Sequence, residues 1–84
     1  MNDIFKALND PVRREILKML RKKDMNAGDI AAKFEMTAPS ISHHLDKLKR
    51  ADLVTVVKKG QFVIYSINTT IVDDLISYLI TLKK

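Results

Sequence analysis

Cysteine is absent from the 84 residues, so neither a disulfide framework nor a thiolate metal site can form. Glycine occurs only twice, which leaves no glycine-rich loop to cradle a phosphate. Histidine also occurs only twice, at the adjacent positions His43 and His44. Neighbouring residues diverge by roughly 100° on a helix, whereas helical metal ligands sit three or four residues apart. The pair is poorly placed to chelate one ion, and no metal or other cofactor is expected. No apolar run approaches the ~18 residues of a membrane span, and no signal peptide is visible. The expectation is a cytoplasmic protein without membrane insertion.

What the chain does contain fits one small globular domain over residues 1–84. Hydrophobic residues make up 46% of it, enough for a small core that is marginal for a monomer. The net charge of +5 favours an anionic partner without naming it.

Residues 26–50 organise the rest. Asn26 can cap a helix, with Asp29 completing a capping-box spacing. Ala27, Ile30, Ala31 and Phe34 repeat as one buried stripe. Glu35 and Met36 break the pattern, Thr37 offers a second cap, and Pro39 sits in the first turn of the next helix, where its missing N–H costs nothing. Ile41, Leu45 and Leu48 then mark a second amphipathic helix. Two short helices with a tight break between them form a helix-turn-helix unit. With that stripe inward, Pro39, His43, Lys47 and Arg50 point out, with Ser40 on one flank and Ser42 and Asp46 on the other. Hydroxyls, an imidazole and cations at such a helix can reach base edges and phosphates. A basic solvated face is the plain alternative, and the flanking elements argue against it.

Before this unit, Ile4, Phe5 and Leu8 belong to a short helix that Asn2 or Asp3 can cap. Asp10 and Pro11 open the next helix, whose stripe is Val12, Ile16, Leu17 and Leu20. Arg21, Lys22 and Lys23 near its end match the helix dipole. Arg13 and Arg14, near its start, lack that excuse and are candidate phosphate contacts. After the unit the period changes to two. Val54, Val56 and Lys58 alternate with Thr55, Val57 and Lys59, and a second strand holds Phe62, Val63, Ile64, Tyr65 and Ile67. Lys59 and Gly60 are expected to make the turn, with Lys58, Lys59 and Gln61 at the tip. Lysines on edge strands also discourage aggregation. Beside a helix-turn-helix, however, such a hairpin has the form of a wing that can reach DNA backbone or minor groove. Asn68 or Thr70 caps the last helix, which is apolar on most of its circumference. A small domain cannot cover all of that, so a second copy related by a two-fold axis is the expected cover.

The order helix, helix, helix-turn-helix, hairpin, helix resembles the ArsR/SmtB family of bacterial winged-helix repressors. The resemblance rests on the run from Asp10 and Pro11 to Leu17, on residues 25–31, and on residues 39–45 with Leu48, Ala51, Leu53 and Val54 behind them. Lys59, Gly60 and Gln61, followed by Tyr65 and Asn68, resemble its wing and return strand. The chain is most similar to the compact SdpR-type members, which lack a metal-sensing site. Metal-responsive members carry cysteines near the helix-turn-helix or Asp and His pairs in the last helix. Here the last helix holds Asp73 and Asp74 but no histidine.

The resemblance implies an α+β winged helix-turn-helix that binds operator DNA as a homodimeric repressor on an imperfect palindrome. Candidate DNA contacts are Thr37, Ser40, Ser42, His43, His44, Lys47 and Arg50, with Lys58, Lys59 and Gln61 from the hairpin. His43 suits the groove, whereas His44 lies nearer the packed side, where a structural hydrogen bond suits it. The expected dimer interface comprises Ile4, Phe5, Leu8, Ile71, Val72, Leu75, Ile76, Leu79 and Leu82. Release from DNA would come from falling concentration or from a regulatory partner protein that sequesters the repressor. Competing readings are a winged-helix protein-interaction module and a ligand- or metal-responsive sensor. An enzyme is not expected, because the serines near His43 and His44 are already explained by a hydroxyl-rich recognition helix.

Overall fold

The computed structural model describes residues 1–84. Its elements are α1 (Asn2–Leu8), α2 (Pro11–Lys22), β1 (Met25–Asn26), α3 (Ala27–Phe34), α4 (Ala38–Arg50), β2 (Val54–Lys59), β3 (Phe62–Ile67) and α5 (Thr69–Thr81). The sheet is antiparallel with order β1-β3-β2. This is the expected winged-helix order with one addition. Strand β1 is unexpected from the sequence, because two residues cannot display a period; pairing of Met25 with Tyr65 and Asn26 with Ile64 makes it a strand.

The core gathers the stripes of α2, α3 and α4. Ile16, Leu20, Ile30, Ile41, Leu45, Leu48 and Leu53 are all fully enclosed. Each such side chain contributes roughly 1.5–3 kcal/mol through its removal from water, so α4 is fastened by three anchors in under two turns. Both helices of the helix-turn-helix begin on the caps expected of them. The Asn26 side chain accepts from the Asp29 N–H at 2.8 Å, and that of Thr37 from the Ser40 N–H at 3.3 Å. Glu35 closes α3 in the left-handed region, at φ 53°.

The exit from α4 is equally specific. Leu53 N–H donates to the Leu48 carbonyl and Asp52 N–H to that of Lys49, both at 3.0 Å. With Asp52 at φ 59° this is a Schellman cap, closed by Leu53 against Leu48 in the core. The Asn68 side chain then donates to the Asp52 carbonyl and its N–H to that of Leu53, both at 2.9 Å, so the end of the hairpin is tied to the end of α4.

Four local expectations are corrected. The hairpin loop is Gly60 and Gln61, with Lys59 paired to Phe62 in the ladder. Only Gly60 needs positive φ (59°), as at the first loop position of a type II′ turn. At α5, Asn68 holds the cap position but spends its side chain on Asp52, and Thr70 lies inside the helix. At α1, Met1 is the cap residue, and neither Asn2 nor Asp3 caps. Ile4, expected at a dimer interface, is 8% exposed within this chain's own core. Leu8, Ile71 and Leu75 also pack against that core, whereas Phe5, Ile76, Leu79 and Leu82 remain exposed.

Candidate nucleic-acid interface

Burying Ile41, Leu45 and Leu48 on one side of α4 forces the polar residues between them outward. Ser40, Ser42, His43, Asp46, Lys47 and Arg50 are all exposed. The Thr37 hydroxyl donates to Ser40 Oγ at 2.9 Å while its oxygen caps the helix, so Thr37 is committed locally and Ser40 keeps its own O–H to give. Asp46 takes the Arg50 guanidinium at 2.9 Å one turn along, an exposed pair that fixes the arginine more than it stabilises the fold. No carboxylate pairs with Lys47.

The hairpin stands beside this helix. Lys58 and Lys59 occupy opposite faces of β2 just before the loop, and both are exposed with Gln61. Phe62 shares a face with Lys59, its ladder partner, and is 53% exposed. The strand pattern alone does not show this exposure, which follows from the Lys59–Phe62 pairing beside the loop.

Residues 10–56, more than half of the chain, match the family model for the bacterial regulatory proteins of the arsR family. The chain belongs to the ArsR family. It is 51% identical over 80 residues to the transcriptional repressor SdpR of Bacillus subtilis, an alignment covering 95% of this chain and 89% of that one. It is 37% identical over 79 residues to the arsenical resistance operon repressor of Staphylococcus aureus, covering 94% and 76%. The fold superposes on an ArsR-like transcriptional regulator from Rhodococcus sp. RHA1 with a TM-score of 0.90 and 28% identity, over 96% of this chain and 74% of that one. The chain is thus a DNA-binding transcriptional regulator of a non-enzymatic family.

Within this ArsR-family chain two arginines have local partners that no sequence pattern displays. Arg13 Nε donates to the Ala7 carbonyl at 2.7 Å and Nη2 to that of Lys6 at 3.1 Å, while Arg14 Nη1 donates to that of Leu8 at 2.7 Å. Together they satisfy the Ala7 and Leu8 carbonyls at the end of α1 and add a second donor to that of Lys6, which also accepts the Asn9 N–H. His44 is half-buried and turned to the same junction. Its Nδ1 lies 3.3 Å from Arg13 Nη1 and 3.9 Å from Asp10 Oδ1. Arginine can only donate, so in the neutral ring Nδ1 accepts at the closer contact and the proton sits on Nε2, whereas a protonated ring carries an Nδ1–H and a charge that Asp10 faces. Asp10 caps α2 by accepting from the Val12 and Arg13 N–H groups at 2.8 and 3.1 Å. Burial opposes its ionisation, but the Arg13 N–H, the charge of a protonated His44, the Arg13 guanidinium and the Val12 N–H outweigh that and hold its carboxyl below the usual range. The sequence showed Asp10, Arg13 and His44 separately; a contact spanning 31 residues leaves no local pattern.

The two histidine rings are 5.9 Å apart at 62° to one another and face different surroundings. No three His, Asp or Glu side chains are gathered into a ligand set.

Proposed function

We propose that this chain is a repressor that binds an imperfect palindrome as a homodimer, with α4 in the major groove and the hairpin against the backbone. The observation carrying this is the exposed row Ser40, His43 and Lys47 on a helix that three buried residues hold fixed, beside a lysine-bearing hairpin. His43 and Ser40 read base edges. Thr37 positions Ser40, and Ser42, Lys47 and Arg50 flank the groove. Lys58 and Lys59 act as flexible point charges on phosphates, with Gln61 at the tip. His44 holds α4 to the α1–α2 junction and is withdrawn as a base reader. Repression is favoured by the likeness to SdpR and to the staphylococcal repressor.

Pairing of two copies is favoured by α5, whose side chains include none that is buried. Phe5 and Tyr78 meet with ring centroids 5.9 Å apart, which joins α1 to α5, and Ile76, Leu79 and Leu82 are exposed further apolar residues at the end of the chain. Two-fold pairing there sets the recognition helices one helical turn apart. Release then follows dilution of the dimer or capture by a partner protein.

The test is a competition of variants against cognate and scrambled duplexes over a salt series. Replacing His43 by Ala should cost about 1–3 kcal/mol on cognate DNA and relax preference at one or two base pairs. Replacing Lys58 and Lys59 by Gln should weaken all duplexes alike and lower the slope of log K against log salt by roughly 0.9 per contact removed. If the lysine variant lost sequence preference while the His43 variant kept it, the hairpin would be the reader.

A further inference from the structure

Where α1 crosses α4 there is a cleft of about 330 Å³ lined by Asp3, Lys6, Ala7, Arg13, Lys47 and Arg50. Four cations face one carboxylate, and Ala7 is the single apolar contributor. Neither Lys6 nor Lys47 has an ion-pair partner, whereas Arg50 is held by Asp46. Arg13 forms a rigid wall, since its guanidinium is fixed to the carbonyls of Ala7 and Lys6 and to His44. A concave site with one dominant sign focuses its field and concentrates counter-charge.

Lys47 and Arg50 belong both to this cleft and to the outward row of α4 that carries His43. From His43 to Arg50 the helix rises ~10 Å, close to the ~12 Å width of the major groove. A helix reading bases near its start therefore brings its last turn against the backbone bordering the groove. Resting on the docking of α4 proposed above, we infer that this cleft seats a phosphate of the DNA backbone, with Lys6 from α1 and Lys47 from α4 as its mobile cations and Arg13 as its fixed wall. Lysine suits the role because a phosphate needs charge there and no base pattern. Helix α1 thereby joins the DNA-binding surface, which otherwise consists of the helix-turn-helix and the hairpin. Asp3 opposes the phosphate and sets how tightly it is held.

The experiment measures duplex affinity over a salt series for the wild type, Lys6→Gln and Asp3→Asn, on duplexes carrying a neutral methylphosphonate at successive backbone positions. Both side chains are exposed, and Ile4 and Ala7 keep α1 in place, so the variants should fold; circular dichroism checks this. Lys6→Gln should bind cognate and scrambled duplexes about three- to tenfold less tightly, with the salt slope lowered by roughly 0.9 for each subunit of the dimer. Asp3→Asn should bind both more tightly. With a methylphosphonate at one matching position of each half-site, the difference between wild type and Lys6→Gln should vanish. A folded Lys6→Gln variant with wild-type affinity and slope overturns the proposal while leaving the docking of α4 intact. So does a deficit that no methylphosphonate removes, combined with inorganic pyrophosphate shifting the Lys6 and Lys47 ammonium resonances, because the cleft would then take a free anion. Failure of the wild type to bind any duplex would instead overturn the docking itself.

Discussion

Asp10 serves three partners with one carboxylate: two N–H groups at the start of α2 and, more distantly, His44 of α4. Replacement by Ala should lower stability by about 1 kcal/mol, the usual cost of losing such a cap. The pH dependence has a definite sign. The native carboxyl titrates below the ordinary aspartate value, so its ionised form contributes full stability above about pH 4. That contribution disappears as pH falls through the lowered native value. Asp10→Asn keeps an oxygen to cap the helix but removes the charge. Its stability should therefore fall less steeply below about pH 4 than that of the wild type. Chemical denaturation followed by circular dichroism at stepped pH measures this, and parallel curves for the two proteins would contradict it.

Elements announced themselves in the sequence according to how much of their order is periodic. Every apolar stripe from Val12 to Leu48 was legible, because one face of a helix must be buried and recurs at 3.6 residues. The hairpin was legible from alternation and from Gly60. The two-residue β1 was not, nor were the caps that depend on distant partners: Arg13 and Arg14 on the end of α1, or Asn68 diverted to Asp52. The outward row of α4 was legible for the same reason as its core, being the complement of Ile41, Leu45 and Leu48. The cleft was not, since Lys6 and Lys47 are 41 positions apart and share no motif. One cap offers an element-scale prediction. Asp52 is a side-chain-bearing residue at the left-handed position of a Schellman motif, where glycine carries no Cβ penalty. Asp52→Gly should raise stability by up to about 1 kcal/mol, while Asp52→Val should lower it by at least as much. The Asn68 bond goes to the backbone carbonyl and survives both changes. Urea midpoints of the three proteins should fall in the order Gly, Asp, Val.

The whole molecule is elongated, 47 × 23 × 21 Å, and its exposed apolar surface is concentrated on one helix. Leu79 is 48% exposed and belongs to that surface, whereas Leu75 packs on the core. Leu79→Glu should therefore give a folded monomer with weakened operator binding, because it strands a charge between copies without opening a cavity within one. Sedimentation showing an unchanged dimer would refute pairing through α5. Zinc, nickel or copper near cellular levels should alter operator affinity by no more than a few-fold, since no ligand set is assembled. Gel-shift titration with and without chelator checks this, and a tenfold loss with one metal would reveal a site.

The placement of so much apolar surface on α5 has a consequence for gene dosage. With pairing through that helix, the DNA-binding species forms from two copies of the chain. Below the dimer dissociation constant its abundance follows the square of the monomer concentration. Halving synthesis would then cut operator-competent protein about fourfold, so a cell dividing without replenishing its stock would cross from silence to expression within a generation or two. A timing device of that kind needs no small-molecule inducer; the helix itself sets the threshold.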